Sequence, residues 1–472
     1  MSLATRPRSF AFAPRLLAAL CFLTVLTAAR AAETDCLVRD PSTMIKRGDT
    51  YWIYGTGPGT QQFSSKDRLH WTNRGPALPR KPDWVAKASP DNTNAVWAPD
   101  VHFYHGRYWL YSAYSHWGTN NSGIGLATST NLEPTSWVEQ GLVVASANGG
   151  GVNAIDPCIF EDAGGKPWLS YGSYVTGIKL IPLDPETGLR AAGNTTAYSI
   201  ANRPGVPGDQ VEASYITYRD GFYYLFVNWD ACCAGSKSTY NIRMGRSKSV
   251  TGPYLDKTGK DMEQGGGTLF LGAVNDNGSG RPPDDEDGPG HVGITHEPGG
   301  DWLTTHYEWA RDRHGATTVN VQRLAWDDDG WPRAVLDPGP YTVVSFLPTH
   351  DALTAGGASL QAQPDTRAAN QRWTLGYQGE GYYSLVSSAG ALTVAGDATK
   401  PGAKTTLAPL TNRASQLWYL QQNDDGTYTA LSKNSGKALA LDVSGCSLND
   451  GTPVGEWTSL GNDCQKWSFR RR

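Results

Sequence analysis

Five ionisable residues stand in one kind of place along this chain: Asp40 in Arg39-Asp40-Pro41-Ser42, Asp100 in Trp97-Ala98-Pro99-Asp100-Val101, Asp156 in Ile155-Asp156-Pro157, Glu212 in Val211-Glu212-Ala213, and His291 in Gly290-His291-Val292. Each precedes an alternating aromatic segment. A solvated turn carboxylate has no reason to keep step with a repeat, so acids that hold one phase point to a shared site. Three carboxylates brought together can divide acid–base work. One with a raised pKa protonates a leaving oxygen, a second activates water or attacks, and a third tunes the first by like-charge repulsion. That division suits cleavage of a glycosidic bond. Asp100 departs from the pattern because its strand follows directly, and a structural role is expected for it.

The elements that must position these residues are legible in the same repeat. Segments 47–54, 105–111, 165–171, 220–226 and 299–307 each open on a turn with Gly or Asp and continue as an alternating aromatic and β-branched run. Such runs are strands. The distance between copies is long for a hairpin and fits a four-stranded blade with its loops. Five copies predict an all-β chain beginning with a five-bladed β-propeller. The acids then stand at the start of each innermost strand and converge on one end of the central channel.

Composition agrees. The 472 residues include 54 Gly, 17 Trp and 22 Tyr, with 18% charged residues and a net charge of −4. No cluster of Lys and Arg offers the facing cations that nucleic acid requires, so no nucleic-acid partner is expected. Aromatic platforms in a polar channel suit a neutral ligand such as a sugar. Motifs for other chemistries are missing: there is no Gly-x-Ser-x-Gly elbow, P-loop or His-Glu-x-x-His. Residues 1–31 read as a secretory signal, with Arg6, Arg8 and Arg15 before an apolar run from Leu16 to Thr27 and then Ala29-Arg30-Ala31. The expectation is a secreted monomer without a membrane span, in a compartment where thiols oxidise. Cys446 and Cys464 are expected to pair within the C-terminal segment. The partners of Cys36 and Cys158 are left open, as is a vicinal disulfide at Cys232-Cys233.

The quoted motifs, together with Gly123-Ile124-Gly125-Leu126-Ala127-Thr128-Ser129, Asn153-Ala154-Ile155-Asp156-Pro157, Gly245-Arg246-Ser247-Lys248-Ser249 and Gly252-Pro253-Tyr254, resemble the arabinanases of glycoside hydrolase family 43 from about Asp35 to Val344. The resemblance implies a five-bladed propeller, hydrolysis of α-1,5-linked L-arabinofuranosyl chains and inversion at the anomeric carbon. It implies Asp40 as general base, Glu212 as general acid, Asp156 as the carboxylate that tunes and orients Glu212, and His291 as the residue that holds a calcium ion, largely through waters. Trp97, Asn153 and Ser173 look like substrate-contacting positions. Two departures stand out: Ala213-Ser214-Tyr215 follows Glu212 where a Pro before the Tyr is more usual, and Val292 rather than Asn follows His291.

A second domain is expected at 346–472, after a propeller at 32–345. Gln-x-Trp occurs there three times, at Gln371-Arg372-Trp373, Gln416-Leu417-Trp418 and Gln465-Lys466-Trp467, as in three similar units closing one small β domain. This resembles the ricin-type β-trefoil of carbohydrate-binding module family 13. Aligned on Gln-x-Trp, the units place Thr354, Thr393 and Asp442 in phase, and only the third has a carboxylate. One sugar pocket is expected, from Asp442, Trp457 and Asn462. The function expected overall is an endo-acting arabinanase on arabinan. The alternatives are an exo-acting arabinofuranosidase, with the run from Asp276 to Gly290 blocking one end of the cleft, and a non-catalytic glycan-binding protein.

Overall fold

A computed structural model describes residues 34–272, 286–310, 314–357, 359–423 and 425–472. The signal expected at 1–31 lies outside these residues, as does most of the run expected to block the cleft; its last residues begin the strand Glu286–Thr295.

The aromatic segments are strands. Five antiparallel sheets succeed one another along the chain with strand order equal to sequence order in each, the second also taking the short strand Gly57–Pro58 from within the first blade's segment. The first comprises Ile45–Arg47, Thr50–Gly55, Gln61–Ser65 and Trp71–Pro76; the second is built on Ala95–Tyr104, the third on Cys158–Glu161, the fourth on Val211–Arg219 and the fifth on Glu286–Thr295. These are the blades of the propeller. Turns between first and second strands explain the Gly and Asp of the repeat. His105-Gly106 and Asp220-Gly221 hold positive φ at both central residues, as a type I′ hairpin requires.

The blades bury one another's apolar faces. Cys36, Met44, Ile53 and Phe63 of the first blade pack with Val319 and Val321 of the fifth, which closes the ring. Backbone hydrogen bonds reinforce the closure: Val319 N–H donates to Cys36 O at 3.0 Å, while the Thr34 hydroxyl donates to Val319 O at 2.6 Å. The two blades approach so closely that a Cβ on Gly293 would lie 2.7 Å from Thr43 Cα, a contact only glycine permits.

The chain then forms a twelve-stranded sheet, the β-trefoil. Its first strand, Gly339–Ser345, pairs with Trp373–Tyr377 and Trp467–Arg471. The sequence boundary at 345 had placed this strand in the propeller. It belongs to the trefoil because its hydrogen-bonding edges are satisfied there, and the junction falls before Gly339. Each Gln-x-Trp plays the same part. Gln371, Gln416 and Gln465 donate from Nε2 to Thr354 Oγ1, Thr393 Oγ1 and Asp442 Oδ2 at 3.1, 3.1 and 3.0 Å. Trp373, Trp418 and Trp467 are fully buried and donate to the carbonyls of Leu353, Leu392 and Leu441. The phase read from sequence is therefore a hydrogen-bond pairing. Val335, Leu336 and Ala325 pack on the trefoil core, and Arg333 lies over the Tyr419 ring, so the two domains share a packed junction.

Candidate active site

One backbone device repeats in all five blades. Asp40, Ala98, Asp156, Ala213 and His291 adopt positive φ, between 39° and 55°. The ladder between first and second strands slips at this point in the second, fourth and fifth blades. A bulge with a left-handed residue bends the strand and re-aims side chains at its rim. His291 occupies the bulge itself and Glu212 directly precedes it, while Asp40 and Asp156 hold the same left-handed conformation just ahead of their first strands. Asp100 lies beyond the bulge, and its side chain goes elsewhere. Buried, it accepts from Thr43 N and Ile159 N, both at 3.0 Å, so it ties the second blade to the first and third.

The re-aimed residues line a cavity of about 260 Å³ together with Thr56, Trp97, Trp117 and Tyr240. Trp117 is 72% exposed and stands 6.4 Å from Trp97 between ring centroids, forming an aromatic rim. Below it the carboxylates differ in environment. Glu212 is buried; Ser173 Oγ donates to its Oε2 at 2.7 Å and Tyr240 OH to its Oε1 at 2.9 Å. Burial raises its pKa, against the lowering effect of these two hydrogen bonds. Asp156 accepts from Ala213 N at 3.1 Å, which clips it to the backbone beside Glu212. Burial raises its pKa as well; His291 opposes this, and the neighbouring charges of Glu212 and Asp40 add to it. This coupled pair holds a proton above the ordinary carboxylate range.

Asp40 is the opposite case. Burial alone would raise its pKa, but His291, His306 and the 2.5 Å hydrogen bond from Thr56 Oγ1 overcome that and hold it well below the usual range. His291 Nδ1 lies 3.2 Å from Asp40 Oδ1 and its Nε2 lies 4.0 Å from Asp156 Oδ1. Neither contact has the direction of a hydrogen bond, so the buried ring meets these carboxylates as a charge pair. The surrounding acids raise the His291 pKa to about 9 against the opposing effect of burial. Asn228, fully buried, fixes the bulge below it by accepting from His291 N at 3.1 Å and donating to Pro289 O at 3.0 Å. His306 takes the Asp40 N–H on Nδ1 at 3.2 Å, which assigns its proton to Nε2, facing Glu308 Oε1 at 3.2 Å.

Of the residues expected from sequence, Asp40, Asp156, Glu212, His291 and Trp97 meet at this cavity, and Ser173 reaches it through Glu212. Asn153 does not line it: the side chain is buried behind the rim and accepts from Ser122 Oγ at 2.7 Å. Thr56, Tyr240, His306, Asn228 and Trp117 were not legible as site residues. His306 alone left a signal, a histidine inside the fifth aromatic segment. In the trefoil, Asp442, Trp457 and Asn462 do surround one pocket, of about 510 Å³, beside the Cys446–Cys464 disulfide. Cys36 and Cys158 are free and buried.

The donor set around His291 also bears on a metal. Ligand atoms of Asp40, His291 and His306 lie within 4.8 Å of one another. One imidazole, which must give up its proton to bind, and one carboxylate fit a hard cation only if waters fill most of its coordination sphere.

Comparison with known proteins follows the same lines. The model of Glycosyl hydrolases family 43 matches residues 35–332, and that of Ricin-type beta-trefoil lectin domain-like matches 414–472. Extracellular endo-alpha-(1->5)-L-arabinanase 1 of Bacillus subtilis is 40% identical over 325 residues, 67% of this chain and 95% of that protein. The extracellular exo-alpha-(1->5)-L-arabinofuranosidase ArbA of Cellvibrio japonicus is 38% identical over 330 residues, 67% of this chain and 91% of its own. Among solved structures, the endo-arabinanase of Bacillus licheniformis superposes with a TM-score of 0.58 at 41% identity, covering 64% of this chain and 99% of that one. The Cellvibrio cellulosa α-L-arabinanase complexed with arabinohexaose does so with a TM-score of 0.58 at 35% identity, covering 63% and 95%. With its propeller, its three channel carboxyls and a family match spanning most of the chain, the protein belongs to the glycosyl hydrolases of family 43 and carries a ricin-type β-trefoil behind the catalytic domain.

Proposed function

We propose that this glycoside hydrolase cleaves α-1,5-L-arabinofuranosidic bonds within arabinan, with inversion. The observation that carries the reading is the gathering of Asp40, Asp156 and Glu212 from three blades into one cavity beneath Trp97 and Trp117. The endo-arabinanase relative and the arabinohexaose complex of a structural neighbour supply the substrate class. Glu212, its pKa raised by burial, gives its proton to the leaving oxygen as the glycosidic bond breaks. Asp40, kept ionised, takes a proton from the water that attacks the anomeric carbon from the opposite face. Asp156 orients the Glu212 loop through Ala213 N and is coupled to the acid in its titration.

His291 and Asp40 are the residues that would hold a calcium ion here, with waters completing its shell. When bound, the ion supplies a fixed positive charge beside the carboxylates. Exhaustive chelation is expected to lower both turnover and melting temperature, and indifference of both would remove the calcium assignment. Export of the protein is part of the same proposal, supported by the extracellular relatives. Mass spectrometry of the protein recovered from culture medium should find a mature N-terminus near Ala32; retention of residues 1–31 would refute it.

The test of the activity is product analysis on linear arabinan. A ladder of oligomers early in the reaction is expected. Arabinose or a single short product from the start would replace endo with exo action. Glu212→Gln should lower kcat by about 10²–10⁴-fold, the range for removing a general acid, while arabinan still binds.

A further inference from the structure

Two adjacent cysteines form part of the cavity wall. Cys232 and Cys233 form a disulfide between neighbours in sequence, half-buried and exposed respectively, in the segment joining Phe222–Trp229 to Asn241–Ser247 of the fourth blade. Both line the catalytic cavity. A surface disulfide unconnected with the site would not be held as this one is. Cys233 N–H donates to Glu308 Oε2 at 3.1 Å, and Arg39, the neighbour of Asp40, reaches Cys233 Sγ at 3.0 Å and Glu308 Oε1 at 2.7 Å. Glu308 in turn accepts from His306, which accepts from Asp40 N. At its other end the same loop closes through Ala231 and Thr239, whose backbones join at 3.0 Å, and it delivers Tyr240 to Glu212. The disulfide loop thus lies between Tyr240, which reaches Glu212, and Glu308, which leads through His306 to the backbone of Asp40.

What the pair presents to the cavity is sulfur. A disulfide has no strong hydrogen-bonding group, and its polarisable surface suits the C–H face of a sugar ring whose hydroxyls point elsewhere. It faces a cavity whose remaining apolar wall is Trp97, Trp117 and Ile155. We propose that the Cys232–Cys233 disulfide is a substrate-contacting wall of the cleft, against which an arabinofuranosyl ring next to the scissile bond packs. The inference rests on the arabinan reading above. Reduction would replace one compact apolar face by two separate thiols beside Arg39 and Glu308, and the ring would lose its platform while the carboxylates keep their positions. The effect belongs in substrate binding, not in the chemical step.

The experiment is steady-state kinetics on arabino-oligosaccharides with wild type and with Cys232→Ser/Cys233→Ser. KM is expected to rise about ten-fold, with kcat changed less than three-fold and the melting temperature kept. An unchanged KM, or a loss confined to kcat, overturns the proposal. Should the double variant not fold, wild type treated with a water-soluble phosphine serves instead, in a Cys446→Ala/Cys464→Ala background so that only one disulfide responds. Thiol titration should report two thiols beyond those of the untreated protein as KM rises, and reoxidation should restore KM; no change of KM on release of these two thiols overturns the assignment. Calorimetric titration of arabino-oligosaccharide into Glu212→Gln separates the two readings. Binding there that the cysteine substitutions do not weaken refutes the wall alone, whereas wild type that neither binds nor cleaves arabinan refutes the substrate reading beneath it.

Discussion

Two acidic side chains with nearly the same chemistry have their pKa values pushed in opposite directions by what surrounds them. Glu212 is buried and accepts from Ser173 and Tyr240, while Asp40 faces two imidazoles and Thr56. The pH dependence follows from this. Activity needs Glu212 protonated, so it falls as pH rises through the raised pKa of the Glu212–Asp156 pair. The Ser173 hydrogen bond stabilises the Glu212 carboxylate and lowers that pKa. Ser173→Ala is therefore expected to move the alkaline limb of kcat/KM to higher pH, with kcat reduced by about ten-fold, or ~1.4 kcal/mol. A limb that stays in place or moves to lower pH would contradict the role of Glu212 as the acid.

At the scale of the element, the left-handed residue at or just ahead of each first strand separates catalytic from structural acids. It turns Asp40, Asp156 and His291 toward the channel, and leaves Asp100, beyond the bulge, to bind the backbone of the neighbouring blades. The shorter offset of Asp100 in the sequence was the visible trace of this geometry. Asp100→Ala would orphan Thr43 N and Ile159 N at a cost of roughly 1–3 kcal/mol for each buried group. Urea unfolding should show that loss, while KM for short oligosaccharides changes little. A stable Asp100→Ala protein with lost activity would instead place Asp100 in the chemistry.

At the scale of the whole molecule, a catalytic propeller and a trefoil with one acid-bearing pocket are packed together through Val335, Leu336 and Arg333. Asp442 accepts from Gln465 through Oδ2, and the exposed Trp457 stands beside it in the pocket. A sugar site there would hold the enzyme on a polymer and raise its effective concentration. Asp442→Ala is expected to raise the apparent KM on polymeric arabinan several-fold and to leave turnover of arabinotriose as it was. Equal loss on both substrates would mean that the trefoil acts through the stability of the propeller.

The sequence alone determined much, because repetition is written in it. Alternating aromatic strands specify blades, Gln-x-Trp specifies trefoil units, and acids at one phase of a propeller must face one channel, so Asp40, Asp156, Glu212 and His291 could be named together. Tertiary structure decided what has no period. Thr56, Tyr240, Asn228 and His306 become site residues only where separate blades meet, and Asn153 turns away because its amide oxygen finds Ser122. The strand Gly339–Ser345 joined the trefoil for the same reason, since hydrogen-bonding edges are satisfied in space and not along the chain. The protonation of Glu212 against Asp40 likewise depends on burial and facing charges, which only the folded chain supplies.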